Sequence, residues 1–224
     1  MPALVIFGAS NILSDLFDAA MSNGLELGKV VIDEPEAAGD RDIPAATRIK
    51  AVAAFARPPE LIQLGDFQPQ ADELYLLGPT TPTREKLAKH LVHHWNMKFH
   101  TLVHPSAYVS KMATLSEGVF VGANSTIAPG AKLASHVFVN RGVTIGHDTR
   151  IGEFSRIQPG ANLGGLSLIG KRVTIGIGAT VLERLEIGDD AVIAGGAVVL
   201  QDVNSSTMVA GVPASIRKRY GAAS

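Results

Sequence analysis

Residues 145–163 read IGHDTRIGEFSRIQPGANL, with a branched aliphatic residue at every sixth place from Ile145 to Leu163. The same spacing extends in both directions, from Val103 to Val199, and every position of the series is Val, Ile or Leu. The residue four places after each aliphatic is small or β-branched in nearly every repeat, and it is never charged. Neither an α-helical period nor strand alternation produces this pattern, which is typical of the hexapeptide repeats of a parallel β-helix.

Three hexads close one triangular coil in such a fold, so residues eighteen apart stack on successive coils. Residues 99–208 are therefore interpreted as an all-β helix of about five to six coils, with the aliphatic residues inside. One stacked column consists of Asn124 followed by a glycine in each later coil, from Gly142 to Gly196. This column indicates repeated turns with positive φ, and its bare edge would also leave backbone amides open to a long ligand such as a pantetheine arm.

The first part of the chain has a different pattern. A buried-type strand at Ala3–Phe7 is followed by a turn at Gly8 and by a helical stretch from Asn11 to Asn23. A second strand at Lys29–Ile32 completes a βαβ unit. The later elements are a strand at Leu74–Gly78 and a helix from Thr81 to about His94. Residues 1–98 are predicted to form a small Rossmann-like α/β domain, and residues 209–224 are interpreted as a C-terminal tail.

Composition and charge narrow the possible functions. The 20 Lys plus Arg and 21 Asp plus Glu give a net charge of −1. The overall charge therefore gives no electrostatic reason to expect nucleic acid or an anionic membrane as a partner. The chain has no cysteine, which excludes disulfides, thiolate metal sites and a cysteine nucleophile. The apolar run from Met1 to Phe7 is too short for a signal peptide or a membrane span. We expect a cytoplasmic protein with no nucleic acid and no membrane as partner.

His147 is the strongest candidate for chemistry. It occupies the third place of its hexad, which points outward at a corner, and imidazole is the usual general base near neutral pH. A histidine standing alone there would more often be an idle surface residue. Here, however, Asp148 and Glu153 are close enough in sequence to orient the ring, and the amide of Gly165, one coil further, is placed to receive an oxyanion.

Metal chemistry is not expected. A β-helix enzyme of the γ-carbonic anhydrase type needs three histidines converging on zinc, two of them close in sequence within the coils. No such pair exists here, because His136 occupies a different corner from His147. The other histidines lie on or at the end of the predicted helix or, as with His100 and His104, in the crossover between the domains. We therefore predict no metal site.

Four motifs resemble those of a known family: Ile-Gly-His-Asp at 145–148, Ile-Gly-Glu-Phe at 151–154, Pro-Gly-Ala at 159–161 and Gly-Val-Pro-Ala at 211–214. The family is the bacterial sugar O-acyltransferases of the sialic acid O-acetyltransferase type, which includes N-acetyltransferases for nucleotide-linked amino sugars. Its members are similar to this chain along nearly all of its length. They combine a small Rossmann-like domain, a helix leading into His-Pro-Ser-Ala at 104–107, and a left-handed parallel β-helix, and the resemblance implies the same architecture here.

The resemblance implies an acyltransferase that uses an acyl-CoA, with acetyl-CoA as the expected donor, to acylate a hydroxyl or amine of a sugar or nucleotide sugar. His147 would be the base that deprotonates the acceptor as it attacks the thioester. Asp148 would raise the basicity of that ring, and the amide of Gly165 would hold the thioester oxygen.

The resemblance also implies where the two substrates bind. Coenzyme A would lie in a groove between neighbouring prisms of a homotrimer, and its phosphates would be near Arg217–Arg219. The residues implied in coenzyme A binding are Arg156, Ile177 and Gly195. The residues implied in binding the acceptor sugar or nucleotide are Ser10, Asn11 and Asp33.

Two departures from the family pattern bear on the substrate. Relatives that acetylate amino sugars carry a second histidine nine residues after the first, which contacts the acyl group, and Arg156 stands there in this chain. Their N-terminal turn continues Gly-His-Gly after the serine, whereas residues 11–13 are Asn-Ile-Leu. The sequence therefore leaves open O- or N-acylation, the acceptor sugar and the acyl length. The alternative hypothesis is a non-catalytic trimeric scaffold or ligand-binding module that retains the fold.

Overall fold

The computed structural model describes residues 2–33 and 39–221. It divides into two compact units, Met1–Pro105 and Ser106–Ser224, so the division falls later than the boundary drawn from the sequence after residue 98. None of the helices in the two described ranges is long and apolar enough to cross a membrane.

The first unit is built on a four-stranded parallel sheet. In chain order its elements are β1 (Ala3–Phe7), α1 (Leu13–Ser22), β2 (Glu26–Ile32), α2 (Ala45–Val52), β3 (Glu60–Gln63), β4 (Glu73–Leu77) and α3 (Glu85–Trp95), with 3₁₀ turns at Leu64–Asp66 and Pro82–Arg84 and a short strand at Leu102–Val103. The sheet order is β3-β2-β1-β4, and each neighbouring pair is parallel. The sequence did not predict α2, which is short, or β3, which is a largely exposed edge strand without alternation.

The connectivity of this sheet creates a position where a ligand can bind. From β1 the chain adds β2 and then β3 on one side, and it later adds β4 on the other side of β1. In open parallel sheets, ligands bind beyond the carboxyl ends of the strands at such a reversal. Gly8 follows β1 and Gly78 follows β4, so the turns that carry these glycines flank the reversal.

The second unit is a triangular prism of three sheets, in which each strand of the coils pairs in parallel with the strand one coil away. The first sheet contains Tyr108–Val109, Thr126–Ile127, Thr144–Ile145, Asn162–Leu163, Thr180–Val181 and Val198–Val199. The second contains Thr114–Leu115, Lys132–Leu133, Arg150–Ile151, Leu168–Ile169 and Glu186–Ile187. The strands that the second unit contributes to the third sheet are Phe120–Val121, Phe138–Val139, Arg156–Ile157, Thr174–Ile175, Val192–Ile193, Thr207–Ala210 and Ser215–Arg219.

The hexad residues fill the prism as the sequence predicts. The aliphatic residues from Val121 to Val199 are all buried, and burying each such side chain contributes about 1.5–3 kcal/mol. Polar residues at the inward small positions satisfy their hydroxyls within the wall. For example, Ser125 donates to the carbonyl of Asn140 at 2.8 Å, which removes the penalty of burying an unpaired hydroxyl.

The corners of the prism require left-handed backbone. The column from Asn124 to Gly196 has positive φ at each coil, which confirms the turn geometry expected for it. The other two corners have the same conformation, and there non-glycine residues such as Asp148 adopt it. The turn is therefore set by the coil rather than by glycine alone.

The C-terminal residues continue the third sheet. Thr207–Ala210 pairs with Val192–Ile193, and Ser215–Arg219 pairs antiparallel with Thr207–Ala210. Residues as far as Arg219, which the sequence analysis assigned to a tail after residue 208, thus belong to the sheet.

Candidate functional site

His147 lies at the corner where the first sheet ends and the second begins, between the strands Thr144–Ile145 and Arg150–Ile151. Its side chain is 61% exposed. The Nδ1 atom lies 2.9 Å from Oδ2 of Asp148, whose positive φ of 57° holds the carboxylate beside the ring. Because Nδ1 faces an acceptor, the arrangement favours the tautomer that leaves Nε2 as a proton acceptor.

The imidazole lies over a bare glycine of the next coil. A Cβ atom built on Gly165 would be 2.7 Å from Nε2 of His147, so any side chain there would collide with the ring. The amide nitrogen of Gly165 lies against Gly146, and it has no hydrogen-bond acceptor in the described ranges. A proton acceptor and a free N–H donor thus stand side by side, which are the two groups needed for addition to a carbonyl.

Glu153 does not contribute to this cluster. Its carboxylate pairs with Lys171 at 3.1 Å, one coil away, instead of approaching His147. The sequence suggested Glu153 as a second group that orients the ring, and the structure gives that role to Asp148 alone.

The residues predicted to contact coenzyme A lie elsewhere on the prism. Arg156 is on the outer face of the third sheet, and Ile177 and Gly195 stack at the corner between the third and first sheets. The His147 corner lies between the first and second sheets. A single chain therefore unites His147, Asp148 and Gly165 but leaves the other three predicted residues on different sides of the prism.

Arg156 and Ile177 differ in their surroundings. The Nε of Arg156 donates to Oγ1 of Thr174 at 3.1 Å, and partial burial lowers the pKa of its guanidinium. Ile177 is 65% exposed, more than the other outward-facing aliphatic residues of the repeats, such as Leu168 and Leu200.

Ser10 and Asp33 lie at the carboxyl edge of the first unit's sheet. The hydroxyl of Ser10 donates to the carbonyl of Gly78 at 2.7 Å, which ties the turn after β1 to the turn after β4. A Cβ atom on Gly8, whose φ is +79°, would be 3.2 Å from Oδ1 of Asp33. These residues surround the reversal point, as expected for a binding edge.

Asn11 is engaged in a network that the sequence did not reveal. Its Nδ2 donates to Oδ1 of Asp42 at 2.7 Å, and its Oδ1 accepts from Nη2 of Arg48 at 3.1 Å. The hydrogen bond from Asn11 is the main reason that the pKa of Asp42 is lowered, with a further contribution from the amide of Gly39. No sequence signal links these residues, because α2 brings Arg48 to Asn11 only through tertiary packing.

Two cavities of the first unit lie away from the predicted acceptor residues. One, of about 740 Å³, is at the amino end of β2 near Gly24 and Phe55, and another, of about 480 Å³, lies between α1 and α2. Neither is lined by Ser10, Asn11 or Asp33. Among the described residues, no group of three or more histidines and carboxylates is arranged to hold a metal ion.

Comparisons with known proteins agree with this architecture. Residues 167–201 match the family described as "Bacterial transferase hexapeptide (six repeats)". The comparison with curated proteins found no match.

Several solved structures are similar over nearly the whole chain. The acetyltransferase domain of PglB from Neisseria gonorrhoeae FA1090 is 24% identical, with 97% of this chain and 100% of that chain covered and a TM-score of 0.81. A mutant perosamine N-acetyltransferase from Caulobacter crescentus, in complex with CoA and GDP-perosamine, is 24% identical and has a TM-score of 0.83. The match covers 97% of this chain and 98% of that chain. WeeI from Acinetobacter baumannii AYE is 18% identical, with 96% of this chain and 99% of that chain covered and a TM-score of 0.72.

At these identities the comparisons establish the fold. The predicted architecture is confirmed, because the same arrangement of an α/β unit and a hexapeptide prism spans both chains of each pair. The chain thus has the fold of these acetyltransferases, an α/β unit followed by a left-handed parallel β-helix, and residues 167–201 carry the bacterial transferase hexapeptide repeat.

Proposed function

We propose that this protein is a cytoplasmic acyl-CoA-dependent acyltransferase, with acetyl-CoA as its donor, that acylates a hydroxyl or amine of a sugar or nucleotide sugar. One observation carries the proposal: the imidazole of His147 lies over Gly165, with Nε2 2.7 Å from where a Cβ atom of that residue would stand, while Asp148 holds Nδ1. The fold also supports the proposal, because the similar perosamine N-acetyltransferase structure holds CoA and GDP-perosamine.

The proposed mechanism is direct attack on the thioester. Nε2 of His147 takes the proton from the acceptor as its oxygen or nitrogen bonds to the carbonyl carbon, and Asp148 stabilises the imidazolium. The N–H of Gly165 donates to the carbonyl oxygen as negative charge develops there. Collapse of the tetrahedral intermediate breaks the carbon–sulfur bond, and the thiolate takes the proton back from His147. The products are the acylated acceptor and free coenzyme A.

The separation of the predicted residues supports a homotrimer as the active form. His147 and Gly165 are on one corner, while Ile177 and Gly195 are on another. A donor molecule that touches both sets must therefore lie between two chains. In a closed three-fold ring, each chain presents one corner to the next, and three equivalent grooves result.

The glycines at the corners of the prism leave room for the extended, thiol-bearing arm of coenzyme A. Gly146, Gly164 and Gly165 leave no side chains beside His147, and Gly195 leaves none beside Ile177. Arg156 is proposed as a further contact, and Arg217–Arg219, all exposed, as the cations nearest the donor phosphates. In the first unit, Ser10, Asn11 and Asp33 are proposed to contact the acceptor at the reversal point of the sheet.

The direct test is thiol release. Purified protein, acetyl-CoA and a panel of sugars and nucleotide sugars are mixed, and free coenzyme A is measured with a thiol reagent. We expect release with at least one acceptor and a loss of about 10²–10⁴-fold in kcat for His147→Ala. His93→Ala, which removes an exposed histidine of α3, is the matched control and should retain full turnover. Full turnover by His147→Ala would refute the mechanism.

A specific observation favours a second candidate, a non-catalytic trimeric scaffold. Both Ser10 and Asn11 use their side chains for internal hydrogen bonds, which a residue awaiting an acceptor need not do. Thermal unfolding with coenzyme A separates the two hypotheses, because a ligand bound only by the folded state raises the melting temperature. The enzyme should be stabilised by millimolar coenzyme A, and a scaffold should not.

A further inference from the structure

We propose that Arg156 forms the centre of an oxyanion-binding site on the outer face of the third sheet, suited to a carboxylate group of a small-molecule ligand. The inference rests on the proposed function for the role of that ligand, since it would place a carboxylate in the acceptor or the acyl donor. The site itself follows from geometry, and its binding test requires no turnover.

The guanidinium of Arg156 is held by one of its three nitrogens. The strand register places Phe138 one coil before it and Thr174 one coil after it. Its Nε donates to Oγ1 of Thr174 at 3.1 Å, which lays the side chain along the sheet. Neither terminal Nη nitrogen has a hydrogen-bond acceptor within residues 2–33 and 39–221. The planar end of the group is thus fixed in position and open.

A second arginine of the same prism shows what is missing. Nε and Nη2 of Arg172 donate to the two carboxylate oxygens of Asp190 at 2.7 and 2.8 Å. Arg156 has no such partner in the described part of the chain, although it is half-buried and Phe138, paired with it one coil before, is only 4% exposed. Burial lowers the pKa of Arg156, but a guanidinium remains charged in a protein. A partly desolvated cation without a counter-ion is unfavourable, so an anion at this place stabilises the fold.

The hydroxyl bonded to Arg156 can itself act as a donor. The Oγ1 of Thr174 accepts from Arg156, so its own hydroxyl hydrogen is free to donate. Two residues further along the chain, the Oε1 of Gln158 accepts from Asn140, and the NH₂ group of Gln158 has no acceptor among the described residues. A cation with a hydroxyl donor beside it fits an oxyanion. The two Nη nitrogens match the two oxygens of a carboxylate, which a planar guanidinium binds in a bidentate manner.

The test is a titration with sodium acetate and with inorganic phosphate at constant ionic strength. The backbone amide resonances of Gln158 and Thr174 report binding. We expect saturable shifts with acetate and a Kd on the order of 1–10 mM. Arg156→Gln should abolish saturation, and Arg156→Lys, which keeps the charge but loses the fork, should weaken binding about 5-fold or more. Arg172→Gln is the matched control and should bind acetate like the wild type.

Three results would overturn the inference. One is a shift that grows linearly with acetate, and another is unchanged binding by Arg156→Gln. The third is a change of oligomeric state in Arg156→Gln, measured by light scattering, which would show that a carboxylate of a second copy fills the site. Failure of the proposed function is recognised separately, as absence of thiol release by a wild-type protein that still binds acetate.

Discussion

The imidazole of His147 lies so close over Gly165 that a Cβ atom at position 165 would be 2.7 Å from Nε2. This contact makes Gly165→Ala a sharp test of the site. The added methyl must push the exposed ring aside, and a misplacement of about 1 Å typically lowers turnover about 10²-fold. We expect that loss in kcat, measured by thiol release, with little change in melting temperature.

The control for this variant is Gly65→Ala, because a Cβ atom there would meet no neighbouring atom. It should leave both turnover and stability unchanged. Normal kcat in Gly165→Ala would mean that the position of the ring over the glycine has no part in catalysis.

Asp148→Asn tests the second partner of the ring. The Nδ1 of His147 lies 2.9 Å from the carboxylate, and asparagine can still accept from it but cannot stabilise a positive imidazolium. We expect kcat to fall about 10–100-fold, with KM for both substrates unchanged, because Asp148 acts through His147. Glu153→Gln is the matched control, since that carboxylate pairs with Lys171 instead. Equal losses in the two variants would show a general effect of removing negative charge.

The sequence predicted the prism because each hexad repeats one local environment. The inward aliphatic positions and the stacking of residues eighteen apart were confirmed by burial and by strand register. The same arithmetic brought His147 and Gly165 together, since they occupy equivalent places on adjacent coils. The hexad repeat therefore made it possible to predict both the fold and the pairing of His147 with Gly165.

The first unit was harder to predict in detail. The helix α2 has only three buried residues in eight, and the partners of Asn11 are more than thirty residues away. Arg48 and Asp42 were therefore missed, because tertiary packing rather than local pattern brings them to the turn. The pairing of Glu153 with Lys171 was missed for a similar reason. His147 and Lys171 are both candidate partners for the Glu153 carboxylate, and the sequence does not say which of the two it contacts.

A mixed oligomer tests whether each active site is shared between two chains. His147→Gln and Ile177→Asp both change exposed side chains, so both variants should fold, and each alone should be inactive. When the two are unfolded together and refolded in equal amounts, a shared site needs intact His147 from one chain and intact Ile177 from the next. About a quarter of the sites then meet both conditions, so about a quarter of wild-type activity should return.

Co-refolding each variant with itself is the control and should restore nothing. If all contacts came from one chain, the mixture would remain as inactive as the separate variants. Light scattering on the refolded material confirms that the oligomers have formed before activity is compared.

His100 provides a stability test of the first unit that is independent of catalysis. Burial lowers the pKa of this half-buried ring below its ordinary value of 6.5. As pH falls below that value, the unfolded chain takes up a proton that the folded chain resists, so stability decreases. Between about pH 7.5 and 5.5, urea unfolding should show a smaller loss of stability for His100→Gln than for the wild type. His93→Gln, at an exposed position of α3, should keep the wild-type dependence, and an identical slope in all three proteins would show that His100 titrates alike in both states.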